Sequence, residues 1–167
     1  MNLQEEILKA DFKDQAVFVA EEINGDQKKF ALLMELFFSK ETRTCQRAAW
    51  LVSHCADKNP LQLMPYLDRI IRNMYNDISD ATKRNSVRVL QYVEIPEELW
   101  GETIEICFQY LTSNEAIAIK VFAMTVLYNL SLKVPEISTE LKVLIEDQNP
   151  YGSAGFKSRA KKILAKM

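Results

Sequence analysis

Arg47, Trp50 and His54 stand at i, i+3 and i+7, a spacing that puts a cation, an indole and the chain's one imidazole on a single helical face. Such a face could anchor a partner, because Trp and Arg carry much of the binding energy wherever they are buried at an interface. Trp50 packed on a neighbouring helix, with His54 at the surface, accounts for the same spacing. Catalysis by His54 needs an orienting carboxylate and a nucleophile in reach, and the sequence nominates neither. A single His excludes a multi-His metal centre. Three cysteines, Cys45, Cys55 and Cys107, with no Cys-x-x-Cys pair, make neither a zinc site nor a disulfide framework. No metal or cofactor is therefore expected, and buried free thiols fit a reducing cytoplasm.

A second stretch with chemistry in it is Gly152-Ser153-Ala154-Gly155, followed by Lys157, Arg159, Lys161, Lys162 and Lys166. Glycines ahead of a helix N-terminus, with cations in its first turns, describe an anion site. The segment does not match the phosphate loop G-x-x-x-x-G-K-[ST], so nucleotide hydrolysis is not implied. The plainer reading is that Gly152 and Gly155 shape a turn while the cations complement the negative C-terminal end of the last helix. Opposite charge gathers upstream: Glu94, Glu97, Glu98, Glu102, Glu105 and Glu115 fall between Arg88 and Lys120 with no cation among them. That run suits either a solvated face or a docking site for a basic partner. With 21 cations, 23 acids and a net charge of −2, the whole molecule is not a nucleic-acid electrolyte.

The elements that must position these groups are helices. Four glycines and five prolines in 167 residues are too few for a turn-rich β protein or a flexible linker, and the length suits one core. Apolar residues recur at helical spacing almost throughout. Leu3, Ile7 and Leu8 begin the series, followed by Ala16, Val19, Ala20 and Ile23, and then by Phe30, Leu33, Met34 and Phe37. Asn24-Gly25 is read as a C-cap and Asp26 as an N-cap. Three helical pairs follow. The first has Cys45 to Cys55 before Asn59-Pro60 and Met64 to Met74 after it. The second has Val87 to Val93 before Ile95-Pro96 and Leu99 to Leu111 after it. The third has Ile119 to Leu130 before Val134-Pro135 and Ile137 to Ile145 after it. Phe156, Ala160, Ile163 and Leu164 close the chain.

Pro60, Pro96 and Pro135 lie 36 and 39 residues apart, each at the opening of a second helix, where a missing N–H and a fixed φ do no harm. A ladder of cations, Arg47, Arg84, Lys120 and Arg159, keeps intervals of 37, 36 and 39. Two markers agreeing on one period indicate stacked helical hairpins. The ladder could line a groove for acidic partners, and stacking between repeats accounts for it equally.

With Gln46-Arg47-Ala48-Ala49-Trp50-Leu51-Val52, Asn59-Pro60 and Met64-Pro65-Tyr66-Leu67 in place, the chain resembles the HEAT-repeat (armadillo-like) superfamily over residues 41–166. Corresponding cation-bearing pairs are Lys83-Arg84, Ile119-Lys120 and Ser158-Arg159. The acid that the family places six positions before its Arg is Glu41 here, replaced by Asn114 and Ser153 in two later repeats. The whole chain also resembles a group of short bacterial HEAT-like proteins, some of whose relatives carry the name adenylosuccinate lyase. That activity is not expected, because the Gly-Ser-Ser-x-Met-Pro loop of those lyases has no counterpart and only one His is present.

The resemblance implies an all-α, right-handed α-α superhelix of about seven to nine helices in a single domain, 1–167. Residues 1–40 form divergent N-terminal helices, 41–147 three hairpins and 153–166 a cap. The expected function is a non-enzymatic binding module for a protein or peptide, with Arg47, Trp50, His54, Arg84, Arg88, Trp100 and Lys120 as candidate contacts. Gly152, Ser153, Gly155, Lys157, Arg159, Lys161 and Lys162 are the candidate anion site. A nucleic-acid-binding HEAT module is the alternative, and an enzyme acting at the Gly152–Lys157 loop a third. The N-terminus shows no signal peptide and no window reaches membrane-spanning length, so a cytoplasmic protein is expected.

Overall fold

The computed structural model describes residues 2–9 and 13–167, the side chain of Lys13 excepted. Among them there are ten α-helices and no strand. The chain divides into two compact units, 1–94 and 95–167.

In the first unit, α1 (Leu3–Lys9), α2 (Lys13–Ile23), α3 (Gln27–Phe37), α4 (Thr42–Lys58), α5 (Leu67–Asn73) and α6 (Asp80–Leu90) follow one another. Their ends are set by local chemistry. Gly25, at φ 87°, takes the left-handed turn after α2, which a side chain would strain. Asp26 then caps α3, its carboxylate accepting from the N–H groups of Lys29 and Lys28 at 3.0 Å each. Those bonds hold its carboxyl below the usual carboxylate range. Glu41 does the same for α4 through Thr44 and Arg43, and its carboxyl is likewise held low. Ser79 caps α6. The central element is α4, which packs against α1, α2, α3 and α6. Its small buried residues Ala48, Ala49 and Ala56 let the surrounding helices approach closely. From α3 come Phe30, Leu33, Met34 and Phe37, each buried and each stabilising the fold by about 1.5–3 kcal/mol.

In the second unit, α7 (Trp100–Thr112), α8 (Ile117–Ser131), α9 (Ser138–Gln148) and α10 (Ala154–Leu164) form the same kind of assembly, with α8 against the other three. Gln148 ties α9 to the end of α7 by donating to the Leu111 carbonyl at 3.0 Å.

Seven to nine helices were expected and ten are present among the described residues. The excess lies in short elements: α1 and α5 have seven residues each, too few to persist alone. Burial of Leu3 and Ile7, and of Leu67, Ile70 and Ile71, holds them in place. The prolines open 3₁₀ turns that feed the second helices rather than the helices themselves. Such turns span Pro60–Tyr66, Glu97–Leu99 and Pro135–Ile137, with another at Asn149–Tyr151 before α10. The first of these displaces Met64 from the apolar stripe assigned to it, leaving it 39% exposed. Tyr110 is buried, whereas Tyr75 and Tyr92 face solvent.

Candidate functional site

The cation ladder resolves into two uses. Arg47 sits half-buried on α4, and its Nη1 donates to the carbonyls of Leu8 (2.9 Å) and Ile7 (3.3 Å) at the C-terminal end of α1. The carbonyls of a helix's last turn and its negative end both favour a guanidinium at this place. Arg159, on α10, donates through Nη1 to the Thr125 hydroxyl of α8 at 2.7 Å. Burial fixes the register of the other members. On α4 the buried set is Thr44, Ala48, Ala49, Leu51 and Val52. On α6 it is Thr82, Ser86, Val87, Val89 and Leu90, each 38 positions later. The counterpart of Arg47 is thus Asn85, buried and donating to the Ala81 carbonyl at 3.0 Å, while Arg84 lies one residue away and exposed. On α8 the same set recurs as Ile119, Ala123, Met124, Val126 and Leu127, so Phe122 takes the position and half-buried Lys120 falls two residues earlier.

Trp50 and His54 do come together. Their rings meet edge to face, centroids 4.6 Å apart and planes at 88°, both half-exposed on α4. With Arg47 turned toward α1, this face offers an aromatic pair. Arg88 is half-buried on α6. Trp100, in the second unit, donates its indole N–H to the Ile95 carbonyl at 2.8 Å and thereby fixes the turn into α7.

At the start of α10, Gly152 is required by space: a Cβ there would come 2.6 Å from the Phe156 ring, which is buried. Ser153 caps the helix by accepting from the Phe156 N–H at 3.2 Å. Gly155 is exposed, with only the Ser153 hydroxyl near its would-be Cβ. Lys157, Lys161 and Lys162 point outward and are exposed.

Two of the clefts in the first unit lie between turns and were not foreseen. One, of about 520 Å³, lies between the α2–α3 turn and the 3₁₀ turn after α4. Its walls combine Phe30, Leu61, Pro65 and Tyr66 with the amides Gln27, Asn59 and Gln62. Gln62 is held by donating to Asn24 Oδ1 (2.9 Å) and the Cys55 carbonyl (3.2 Å), and Phe30 and Tyr66 meet edge to face at 5.8 Å. The other, of about 430 Å³, joins the α3–α4 and α5–α6 connections, where Cys45 Sγ lies 3.2 Å from Thr82 Oγ1, itself 3.0 Å from Ser79 Oγ. Clefts of this kind arise from turns far apart in sequence, which leave no periodic signal. Neither of the remaining thiols is poised to react: burial pushes Cys55 and Cys107 up to about 12. Among the described residues no cluster of His, Cys, Asp and Glu could hold a metal ion. No helix among them is long and apolar enough to cross a membrane.

A chain of stacked helical pairs whose equivalent positions recur every 37 or 38 residues belongs to the α-helical repeat class. Its family is defined by sequence as well: the HEAT repeat domain model matches residues 3–167, running through both units, and the chain belongs to that family. No curated protein and no solved structure matches it.

Proposed function

We propose that this protein is a non-enzymatic helical-repeat module that binds a protein or peptide partner, and that the 520 Å³ cleft of its first unit is the principal contact. The observation that carries this reading is the make-up of that cleft. Aromatic, proline and leucine side chains lie beside three carboxamides, with no carboxylate, imidazole, thiol or ammonium group among the lining residues. Such walls can bury an apolar side chain and hydrogen-bond a peptide backbone, and the Tyr66 phenol has no carboxylate, imidazole or ammonium group beside it among the lining residues to pair with in proton transfer. Leu61, 75% exposed at its rim, is a large apolar side chain whose burial would reward association. The half-exposed Trp50–His54 pair adds a second aromatic element in the same unit.

Nucleic acid fits less well. Residues 1–94 hold 13 cations and 14 acids and residues 95–167 hold 8 and 9, together the 21 and 23 of the chain, so neither unit is basic.

The test is affinity capture with the full chain as bait beside Leu61→Asp and Leu132→Asp baits, followed by binding of the purified partner. Leu132 is comparably exposed, at 65%, but belongs to the other unit. The reading expects a partner retained by wild type and Leu132→Asp and lost from Leu61→Asp, with helical circular dichroism unchanged. A partner that Leu61→Asp retains, or no partner at all, overturns it.

A further inference from the structure

α10 presents two faces of opposite character. Phe156, Ala160 and Ile163 point into the second unit and are buried. Outward, Ala154, Ser158, Lys161 and Ala165 follow at i, i+4, i+7 and i+11 and are all exposed, with Lys157 and Lys162 on either side. Ala154, Ser158 and Ala165 in this strip are small, Lys161 stands among them, and Lys157 and Lys162 flank it. None of the three lysines makes an ion pair among the described residues. No acid follows Asp147 in the chain, and the first turn of α10 has none to offset its positive helix end. Dipole complementarity accounts for Lys161 and Lys162 in the last turn but not for Lys157, which stands near the positive end.

We infer that the outer face of α10 is a docking surface for an acidic helical segment of a protein partner, laid along the Ala154–Ala165 strip with its carboxylates reaching Lys157, Lys161 and Lys162. Charge complementarity selects the occupant, and the small side chains Ala154, Ser158 and Ala165 leave room for a helix whose carboxylates reach Lys161 within the strip and Lys157 and Lys162 beside it. A duplex or an anionic membrane would also be drawn by three lysines. Either would spread over a wider area and meet the nine acids of this unit, six more than the strip has lysines. The surface deepens the protein-binding reading but does not use the Leu61 cleft, so the two can fail separately.

The test uses the full chain and a fluorescein-labelled, helix-forming Glu/Ala peptide, followed by fluorescence anisotropy. The expectation is binding at low salt that weakens as salt rises. Lys157→Glu/Lys161→Glu/Lys162→Glu should weaken it roughly tenfold, the order expected for three partly exposed ion pairs. Ser158→Trp, which keeps every charge, should weaken it through bulk alone, and Leu61→Asp should leave it unchanged. The Gln triple variant at the same lysines serves if the Glu variant fails to fold. The inference is overturned by any of several results: no binding at low salt, equal binding to the triple variant, indifference to Ser158→Trp, or loss on Leu61→Asp. Tighter binding of duplex DNA or of phosphatidylserine vesicles than of the peptide overturns it as well.

Discussion

Arg47 and Arg159 occupy equivalent positions on α4 and α10, yet they meet different demands. Arg47 closes the end of a seven-residue helix, donating to two carbonyls of its last turn. Arg159 donates to the Thr125 hydroxyl, which itself donates to the Val121 carbonyl at 3.2 Å. The first is a condition for a local element; the second adds to a contact that α10 also secures through Phe156, Ala160 and Ile163. A recurring residue type at a repeat position is thus no guarantee of a recurring role. What sets its worth is what hangs on the partner it bonds, the end of a short helix in one case and a side-chain hydroxyl in the other.

The largest effect should follow from removing Arg47. Arg47→Ala leaves the Ile7 and Leu8 carbonyls without their charged donor and should cost about 2–3 kcal/mol, seen as a lower urea midpoint. Faster amide exchange confined to α1 should accompany it, since that helix cannot persist by itself. Arg47→Lys should recover only part of the loss, because one ammonium cannot reproduce the guanidinium fork. An Arg159→Ala loss as large as that of Arg47→Ala would abolish the contrast between the two positions.

Next comes Gly152→Ala, expected to cost about 2 kcal/mol by forcing a methyl against the Phe156 ring, whose place in the core leaves it little room to move. The same change at Gly155, where nothing but the Ser153 hydroxyl is near, should be neutral or mildly stabilising. Comparing the two melts separates a glycine kept for space from one that tolerates a side chain. Arg159→Ala should then cost about 1 kcal/mol, since the Thr125 hydroxyl it bonds can still rotate to another partner.

Much of the fold was legible because its markers carry their own geometry. Pro60 and Pro135 open the second halves of their hairpins as the spacing required, and Asp26 caps the helix that follows it. Register was harder. Arg84 matches Arg47 in type and nearly in spacing, but the residue that shares its environment is Asn85, whose polar side chain gives no charge signal. Comparing apolar neighbours would have found it, since Ser86-Val87 and Val89-Leu90 repeat the buried pattern of Ala48-Ala49 and Leu51-Val52. The 520 Å³ cleft was beyond sequence reasoning altogether. It depends on Gly25 and Leu61 coming together from turns whose separation is set by how α3 and α4 pack.

The smallest effect on stability sharpens the comparison most, because it concerns cations on the same helix as Arg159 that face the other way. Elsewhere, cations sit on carboxylates: Lys58 on Glu21 at 2.7 Å, Arg69 on Glu35 at 3.0 Å while also covering the Phe38 ring. Lys157, Lys161 and Lys162 have no such pairing among the described residues, and their exposure leaves nothing in the fold that depends on them. Replacing each singly by Gln should shift stability by no more than about 0.5 kcal/mol, against the larger loss at Arg159 two to three residues away. A large loss at any of them, read from the urea midpoint, would mean that the outer face of α10 serves the fold after all. Unchanged stability combined with lost acidic-peptide binding would separate the two kinds of cation on one helix: those turned inward to hold a repeat in place, and those turned outward to meet something else.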